Sequence, residues 1–233
     1  MKMRLLGAFG LMALLMTFVS PAAHAAAGSS SFQRLAAAQT QLLFKYFDGP
    51  SQIASPRTCN QGQDDEGFHG VFLLPTKISS HGDRSFQCNI EAKAVLVDLG
   101  GGFASEDKRG DTYTLTNGKV LTFKKSVLPR ICDDAIRYFP KSAPATVDNR
   151  KITGTKVITT NFTVKINPGS ASSPNAPFYQ DSVDLGHAGS LAACYFGHKA
   201  IVPLSPGHHV IRVDLTSISP ATHFTYNINV ERD

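Results

Sequence analysis

Apolar side chains recur at helical spacing in two parts of the chain. The first stripe lies between Ser31 and Phe47 and ends at Gly49-Pro50, a pair that terminates helices. The second lies between Leu128 and Phe139, with Pro129 tolerated in its first turn and Pro140 after its end. The pattern predicts an N-terminal helix and one helix inserted among strands.

Elsewhere the hydrophobic pattern consists of short runs typical of strands. In the run from Phe162 to Ile166 and in the run from Phe224 to Val230, every second residue is apolar, as half-buried strands require. Asn117-Gly118 predicts a type I′ hairpin, whereas the loop from Asn167 to Pro177 shows no periodicity. Because strands and helices do not alternate regularly, we expect a mainly β fold: an antiparallel β-sandwich, jelly-roll or immunoglobulin-like, with an N-terminal helix and one inserted helix.

The N-terminus has the pattern of a secretory signal. Two basic residues precede an apolar stretch from Leu5 to Val19, and Ala23-His24-Ala25 has the small residues of a cleavage site. The stretch is shorter than the ~20 residues that span a bilayer. We therefore expect a signal peptide over residues 1–25, a single soluble domain over residues 26–233, no membrane span after cleavage, and a periplasmic or secreted location.

Composition narrows the class of partner. The formal charge is +5, and removal of Lys2 and Arg4 lowers it by two, to +3. The basic residues are scattered along the chain, which is not the pattern of a nucleic-acid-binding protein. We expect no nucleic-acid partner, and an extracellular or envelope partner whose identity the sequence does not give.

All four cysteines, Cys59, Cys88, Cys132 and Cys194, follow the predicted cleavage site. An even number in an oxidising compartment predicts two disulfides, and the long intervals between them do not fit a zinc site. Cys59 and Cys88 flank the same early strands, which favours their bond and leaves Cys132 of the second helix to meet Cys194 in the sheet it covers. Four cysteines permit three connectivities, so the other two stay open.

Histidines concentrate near the C-terminus. The candidate metal ligands are His187, His198, His208 and His223. His208 and His209 are adjacent in a predicted strand, so their side chains leave opposite faces and cannot both bind one ion without a bulge. Ordinary surface or turn histidines are the simpler interpretation, and no catalytic motif, cofactor site or metal site is predicted.

The order of several short segments resembles a family of exported bacterial β-sandwich proteins with no assigned activity. The N-terminal part of the resemblance comprises the first helix, Cys59-Asn60-Gln61-Gly62-Gln63, Val71 to Leu74, Arg84 and Cys88, and Ala94 to Val97. The C-terminal part is Pro203 to Ile211 followed by Phe224 to Val230, which looks like that family's closing hairpin. The resemblance implies a fold and an exported location, and no catalytic residues.

These observations favour a non-enzymatic exported domain that binds an envelope or extracellular partner through loops at one end of the sandwich. Two alternatives remain. One is a hydrolase whose Asp and His residues converge only in the fold, and the other is a metal-binding protein that uses the C-terminal histidines.

Overall fold

The structure is a computed structural model and describes residues 24–46, 59, 63–64, 66–75, 84–107, 110–166, 176–187, 189–215 and 222–231. Within these ranges the helices are α1 (His24–Tyr46), α2 (Leu128–Ala135) and α3 (Ala176–Asp184), and a 3-10 helix, Ile136–Tyr138, continues α2. The strands are β1 (Val71–Leu73), β2 (Arg84–Ile90), β3 (Ala94–Ser105), β4 (Thr112–Thr114), β5 (Val120–Thr122), β6 (Ala145–Val147), β7 (Arg150–Ile152), β8 (Thr155–Ile158), β9 (Phe162–Lys165), β10 (Ser190–Pro203), β11 (Gly207–Leu215) and β12 (Thr222–Val230). The prediction of a mainly β fold is confirmed, whereas most of the predicted signal peptide and of the loop from Asn167 to Pro177 lies outside the described residues.

Two five-stranded sheets and the hairpin β4-β5 make up the β structure of the described residues. The first sheet has the order β1-β3-β10-β8, with β9 also paired to β10, and the second has the order β2-β12-β11-β6-β7. The prediction of purely antiparallel sheets is wrong, because β1 pairs parallel to β3 and β2 parallel to β12. Alternation of polar and apolar residues is the same in parallel and antiparallel strands, so the sequence pattern does not give strand direction.

A hydrophobic core lies between the two sheets. The first sheet contributes apolar residues of β1, β3 and β10, and the second contributes those of β2, β11 and β12. On β12 the inward row is Phe224, Tyr226, Ile228 and Val230, each at most 3% exposed. The predicted register of this strand is therefore confirmed.

Helix α1 covers the other face of the first sheet. Leu35 packs with Leu73 and Leu96, and Ala36 packs with Tyr195. Three glutamines of α1 also donate side-chain hydrogen bonds to strand carbonyls: Gln33 to Ile158 (2.9 Å), Gln39 to Leu74 (2.7 Å) and Gln41 to Thr163 (2.8 Å). These bonds fix the helix across the sheet in one position. No helix in the described part of the chain is long and apolar enough to cross a membrane.

The cysteines pair as the sequence analysis preferred. Cys59 bonds to Cys88, and Cys132 bonds to Cys194. The second bond joins α2 to β10 inside a core that also contains Leu128 and Ile131. It therefore fastens the inserted helix to the longest strand of the described residues.

The glycine tract from Gly100 to Gly102 is part of β3. A β-carbon on Gly101 would lie 2.6 Å from the Tyr195 hydroxyl oxygen, and one on Gly197 would lie 2.4 Å from it. Real β-carbons do not approach so closely, so both glycines make room for this phenol. The pairing of β3 and β10 shifts register between Gly197 and Lys199, next to the same hydroxyl.

Two hairpin turns differ from expectation. The predicted hairpin at Asn117-Gly118 is present, but only Gly118 has a positive φ, so the turn is not of type I′. A two-residue turn with positive φ at both positions joins β6 to β7 instead, at Asp148 (φ 48°) and Asn149 (φ 63°). Short polar residues tolerate this conformation, and the turn holds Asp148 at the end of the second sheet.

Two further features were not predicted. Helix α3 begins at Ala176, within the last two residues of the predicted loop, and its residues Phe178 and Tyr179 pack on Val164 and Leu191. Asp134 lies in the last turn of α2 and not near its start, so the helix dipole does not explain it. Its carboxylate instead accepts hydrogen bonds from β4-β5 and from the 3-10 helix, among them one from the Tyr113 hydroxyl at 3.0 Å.

Candidate functional site

The four predicted metal-ligand candidates, His187, His198, His208 and His223, lie on different elements and do not converge. His187 follows α3 and lies 3.6 Å from a carboxylate oxygen of Glu106, while His223 on β12 lies 2.8 Å from a carboxylate oxygen of Asp214. Nowhere in the described ranges do three or more His, Cys, Asp or Glu side chains come together as a metal site would require. Clustering of histidines along the sequence therefore did not predict clustering in space.

His198 is buried on the side of β10 that faces the second sheet. Burial lowers the pKa of its imidazole, and the charge of Lys156 on the paired strand β8 lowers it further. Its Nδ1 has no hydrogen-bond partner. A neutral, enclosed imidazole of this kind fills space at the sheet interface and reaches no ligand.

A charged group with a perturbed pKa, Lys199, is 1% exposed beneath α1. Its ammonium donates to Asp98 Oδ2 at 2.9 Å and to Gln39 Oε1 at 2.6 Å, and it lies 4.0 Å from the centre of the Tyr195 ring. Burial lowers the pKa of Lys199, and the Asp98 carboxylate opposes that shift. Burial, with the charge of Asp98, raises the pKa of Tyr195 well above its ordinary value.

This buried cluster is sealed by the helix above it. The amide of Gln39 that accepts from Lys199 also donates to the carbonyl oxygens of Leu74 and Leu96, at 2.7 and 3.1 Å. All polar atoms of the ammonium and of the amide therefore face protein groups, which is how a buried charge is tolerated. The cluster positions α1 on the first sheet and offers no route for a substrate.

A cavity of about 280 Å³ opens between α1 and the segment from Gln63 to Leu73. It is lined by apolar side chains such as Leu42 and Phe68, together with Gln41 and Gln63. Gln41 donates to Thr163, and Gln63 bonds both the amide and the carbonyl of Leu73. The cavity contains no histidine, so it does not provide the enclosed Asp and His site of a hydrolase.

The outer face of the second sheet is open and polar. Pairing of β2, β12 and β11 arranges nine outward side chains in three rows across the strands: Arg212, Thr225 and Ser85; Val210, Asn227 and Gln87; and His208, Asn229 and Asn89. All nine are exposed or half-buried. We call this set the polar face. Only one member carries a permanent charge, and four are amides.

A second arrangement lies at the end of the same sheet, where the β6-β7 turn meets the β10-β11 turn. His209 Nδ1 lies 2.7 Å from Asp148 Oδ2, and His209 Nε2 lies 3.3 Å from Ser205 Oγ and 3.0 Å from the Ser205 carbonyl oxygen. Asp148 Oδ1 accepts the Val210 amide at 2.9 Å. The hydrogen bond from His209, with that from Val210, lowers the pKa of Asp148. We call Asp148, His209 and Ser205 the turn triad.

Sequence reasoning missed the turn triad for a definable reason. His209 was set aside because it neighbours His208 in a strand, and Asp148 is separated from it by more than 60 positions. The available signal was the dipeptide Asp148-Asn149 between two short β runs, which favours a tight turn. That turn brings the carboxylate across β11, a contact that no local pattern contains.

Comparison of the chain with protein-family models, with curated proteins and with solved structures finds no match. The resemblance to a family of exported bacterial β-sandwich proteins therefore stays a prediction. Function has to be argued from the side chains themselves.

Proposed function

We propose that the chain is an exported binding domain, periplasmic or secreted, whose polar face binds a glycan of the cell envelope or its surroundings. The observation that carries the proposal is the composition of the polar face. An outer sheet face that only needs solubility commonly carries charged residues and Thr. Here four of the nine members are amides and one is charged, and the amides include Asn89, Asn227 and Asn229 on neighbouring strands.

Asparagine is depleted in strands because its side chain competes for backbone hydrogen bonds. Three of them on one sheet face therefore oppose the local preference of the chain, and such conflicts are expected at functional surfaces. An amide group has donors and an acceptor in one plane, which suits the hydroxyl groups of sugars, and in this chain the Asn227 and Asn229 nitrogens also donate to Ser85 and Glu231. Within each row, side chains on neighbouring strands are about 4.8 Å apart, the scale of a single sugar ring.

The proposal includes the finer parts of the fold prediction. The shared core between the sheets supports a β-sandwich of the jelly-roll or immunoglobulin-like kind, with the polar face as one outer surface. The two disulfides support an oxidising, extracytoplasmic location. A rigid sheet would present the amides with little entropy to lose on binding.

Co-sedimentation with insoluble cell-wall glycan tests the proposal. The double variant Gln87→Ala with Asn227→Ala should bind at least about 10-fold more weakly, because two lost hydrogen bonds of about 1 kcal/mol each exceed the 1.4 kcal/mol of a tenfold change. Gln180→Ala, which removes an exposed amide from α3, is the matched control and should bind within about twofold of the wild type. The proposal fails if wild-type protein stays in the supernatant, or if the double variant sediments like the control.

A further inference from the structure

The turn triad is built so that a histidine connects an oriented carboxylate to an exposed serine hydroxyl. Both oxygens of Asp148 are held, Oδ1 by the Val210 amide and Oδ2 by His209 Nδ1, and the Asp148 amide donates to the Val210 carbonyl at 2.9 Å. The carboxylate is therefore fixed relative to β11. It orients the ring in the way that the third member of a nucleophile, base and carboxylate arrangement does.

The hydrogen-bond inventory sets the tautomer. A carboxylate only accepts, so the proton of a neutral His209 ring lies on Nδ1 and its lone pair lies on Nε2. Of the two oxygens of Ser205 that face Nε2, only the hydroxyl has a hydrogen to donate. Once the ring takes that proton, the carbonyl oxygen at 3.0 Å and Asp148 both accept from it. Nε2 therefore has a donor hydroxyl and an acceptor carbonyl of the same residue within hydrogen-bond distance.

Solvent exposure differs between the base and the nucleophile of the triad, as catalysis needs. The His209 side chain is 13% exposed, whereas Ser205 lies in an exposed turn. Pro206, directly after Ser205, fixes its own φ, and Gly207 takes a φ of 116° that favours glycine. The imidazole of the base is shielded, whereas the hydroxyl of the nucleophile is open to solvent.

We propose that Ser205 is a nucleophile that accepts acyl groups from small O-acyl esters, with His209 as its general base and Asp148 as the positioning residue. Ser205 Oγ forms a bond to the ester carbonyl carbon while its proton passes to His209 Nε2. The carbon–oxygen bond to the alcohol then breaks, and the alcohol leaves with that proton. Water, deprotonated by Nε2, attacks the acyl-serine, and the carboxylic acid departs as the Ser205 hydroxyl reforms.

The expected rate follows from what the triad has and lacks. A positioned general base contributes about 10²- to 10⁴-fold. Pro206 has no amide hydrogen, so the residue after the nucleophile cannot donate a hydrogen bond to an oxyanion. The rate enhancement that one such donor supplies, roughly 10²- to 10³-fold, is therefore absent. Activated esters with good leaving groups should therefore react most readily.

Two measurements on the full exported protein test the assignment. A fluorophosphonate probe should label a peptide that contains Ser205, and Ser205→Ala should abolish the label. Hydrolysis of p-nitrophenyl acetate should fall at least about 10-fold in Ser205→Ala and by a similar factor in Asp148→Asn, because members of a catalytic unit fail together. Ser126→Ala, an exposed serine before α2, is the control and should keep its rate within about twofold.

Ser205→Ala removes one oxygen atom from an exposed turn, so the thermal melt of this variant should match that of the wild type. This holds even if Asp148→Asn loosens the turn. Labelling elsewhere, no labelling, or unchanged hydrolysis in a folded Ser205→Ala protein overturns the assignment. Glycan co-sedimentation of Ser205→Ala should be unaffected, so this assignment and the binding proposal can fail separately.

Discussion

Replacing Lys199 with Met removes the charge beneath α1 while keeping most of the side-chain volume. Breaking one partner of a buried ion pair costs about 3–5 kcal/mol, because the remaining charge has no compensation. The Asp98 side chain is 15% exposed, which places the expected loss in the free energy of unfolding toward the lower end of that range. The Gln39 oxygen also loses its hydrogen-bond donor, which adds about 1–3 kcal/mol. We expect the free energy of unfolding to fall by roughly 3–5 kcal/mol.

Urea denaturation followed by far-ultraviolet circular dichroism measures this loss, since the chain has no tryptophan for fluorescence. Adding Asp98→Asn to Lys199→Met should restore at least about 1 kcal/mol, because the amide keeps an acceptor without a buried charge. Lys156→Met on the neighbouring strand β8, an exposed position, should change stability by less than about 0.5 kcal/mol. A loss below about 1 kcal/mol for Lys199→Met, or additive losses in the double variant, would refute the closed-cluster interpretation.

Four further results are expected. Phe224→Ala should cost about 3–5 kcal/mol in the same denaturation assay and Thr225→Ala or Asn227→Ala within about 1 kcal/mol; equal losses would mean that β12 is buried on both faces. Unreduced protein should contain no alkylatable thiol, and non-reducing peptide maps should recover Cys59 with Cys88 and Cys132 with Cys194, with any other pair contradicting the structure. Burial, followed by the hydrogen bond to Asp134, raises the pKa of Tyr113 to about 12 from 10.0, so the folded state favours the neutral phenol and its contribution to stability, full below pH 10, is lost as pH rises toward 12. Because the pKa of Tyr195 and that of Tyr226 are raised as well, the amplitude of tyrosinate absorbance gained near pH 12 should be smaller in Tyr113→Phe than in the wild type by one tyrosine, and an equal amplitude would contradict the assignment. The intact mass of the exported protein should equal the mass calculated for a chain that begins at Ala26, and a mass that includes residues 1–25 would exclude cleavage at the predicted site.

The periodicity of apolar residues predicted those features of the fold that depend on which side of a helix or strand is buried. The stripe of α2, the inward row of β12 and the pairing of Cys132 with Cys194 all follow from which side of an element is apolar. It did not predict strand direction, because parallel β2 and antiparallel β11 present the same alternation to β12. It also missed the central role of β10, whose continuous apolar run is buried on both faces and has no period to read.

The polar sites were harder to predict because each joins distant segments. Lys199 bonds Gln39 across 160 positions and Asp98 across 101, and a lone lysine in an apolar run gives no sign of its partners. Gly101 and Gly197 are visible in the sequence, but the space that they leave for the Tyr195 hydroxyl exists only once β3 and β10 are paired. Sequence patterns specify elements, whereas partners are specified by topology.

The buried Lys199, the polar face and the turn triad differ in solvent exposure, and this difference limits the role that each can take. The ammonium of Lys199 has a perturbed pKa, the usual mark of a catalytic group, yet α1 closes over it and its bonds are complete. The polar face is open, but its amides are neither nucleophiles nor bases at neutral pH. In the turn triad an exposed hydroxyl meets a shielded imidazole whose far nitrogen is held by a carboxylate. We therefore propose binding on the outer face of the second sheet and bond-making chemistry at its end, where Ser205 is open and its base is not.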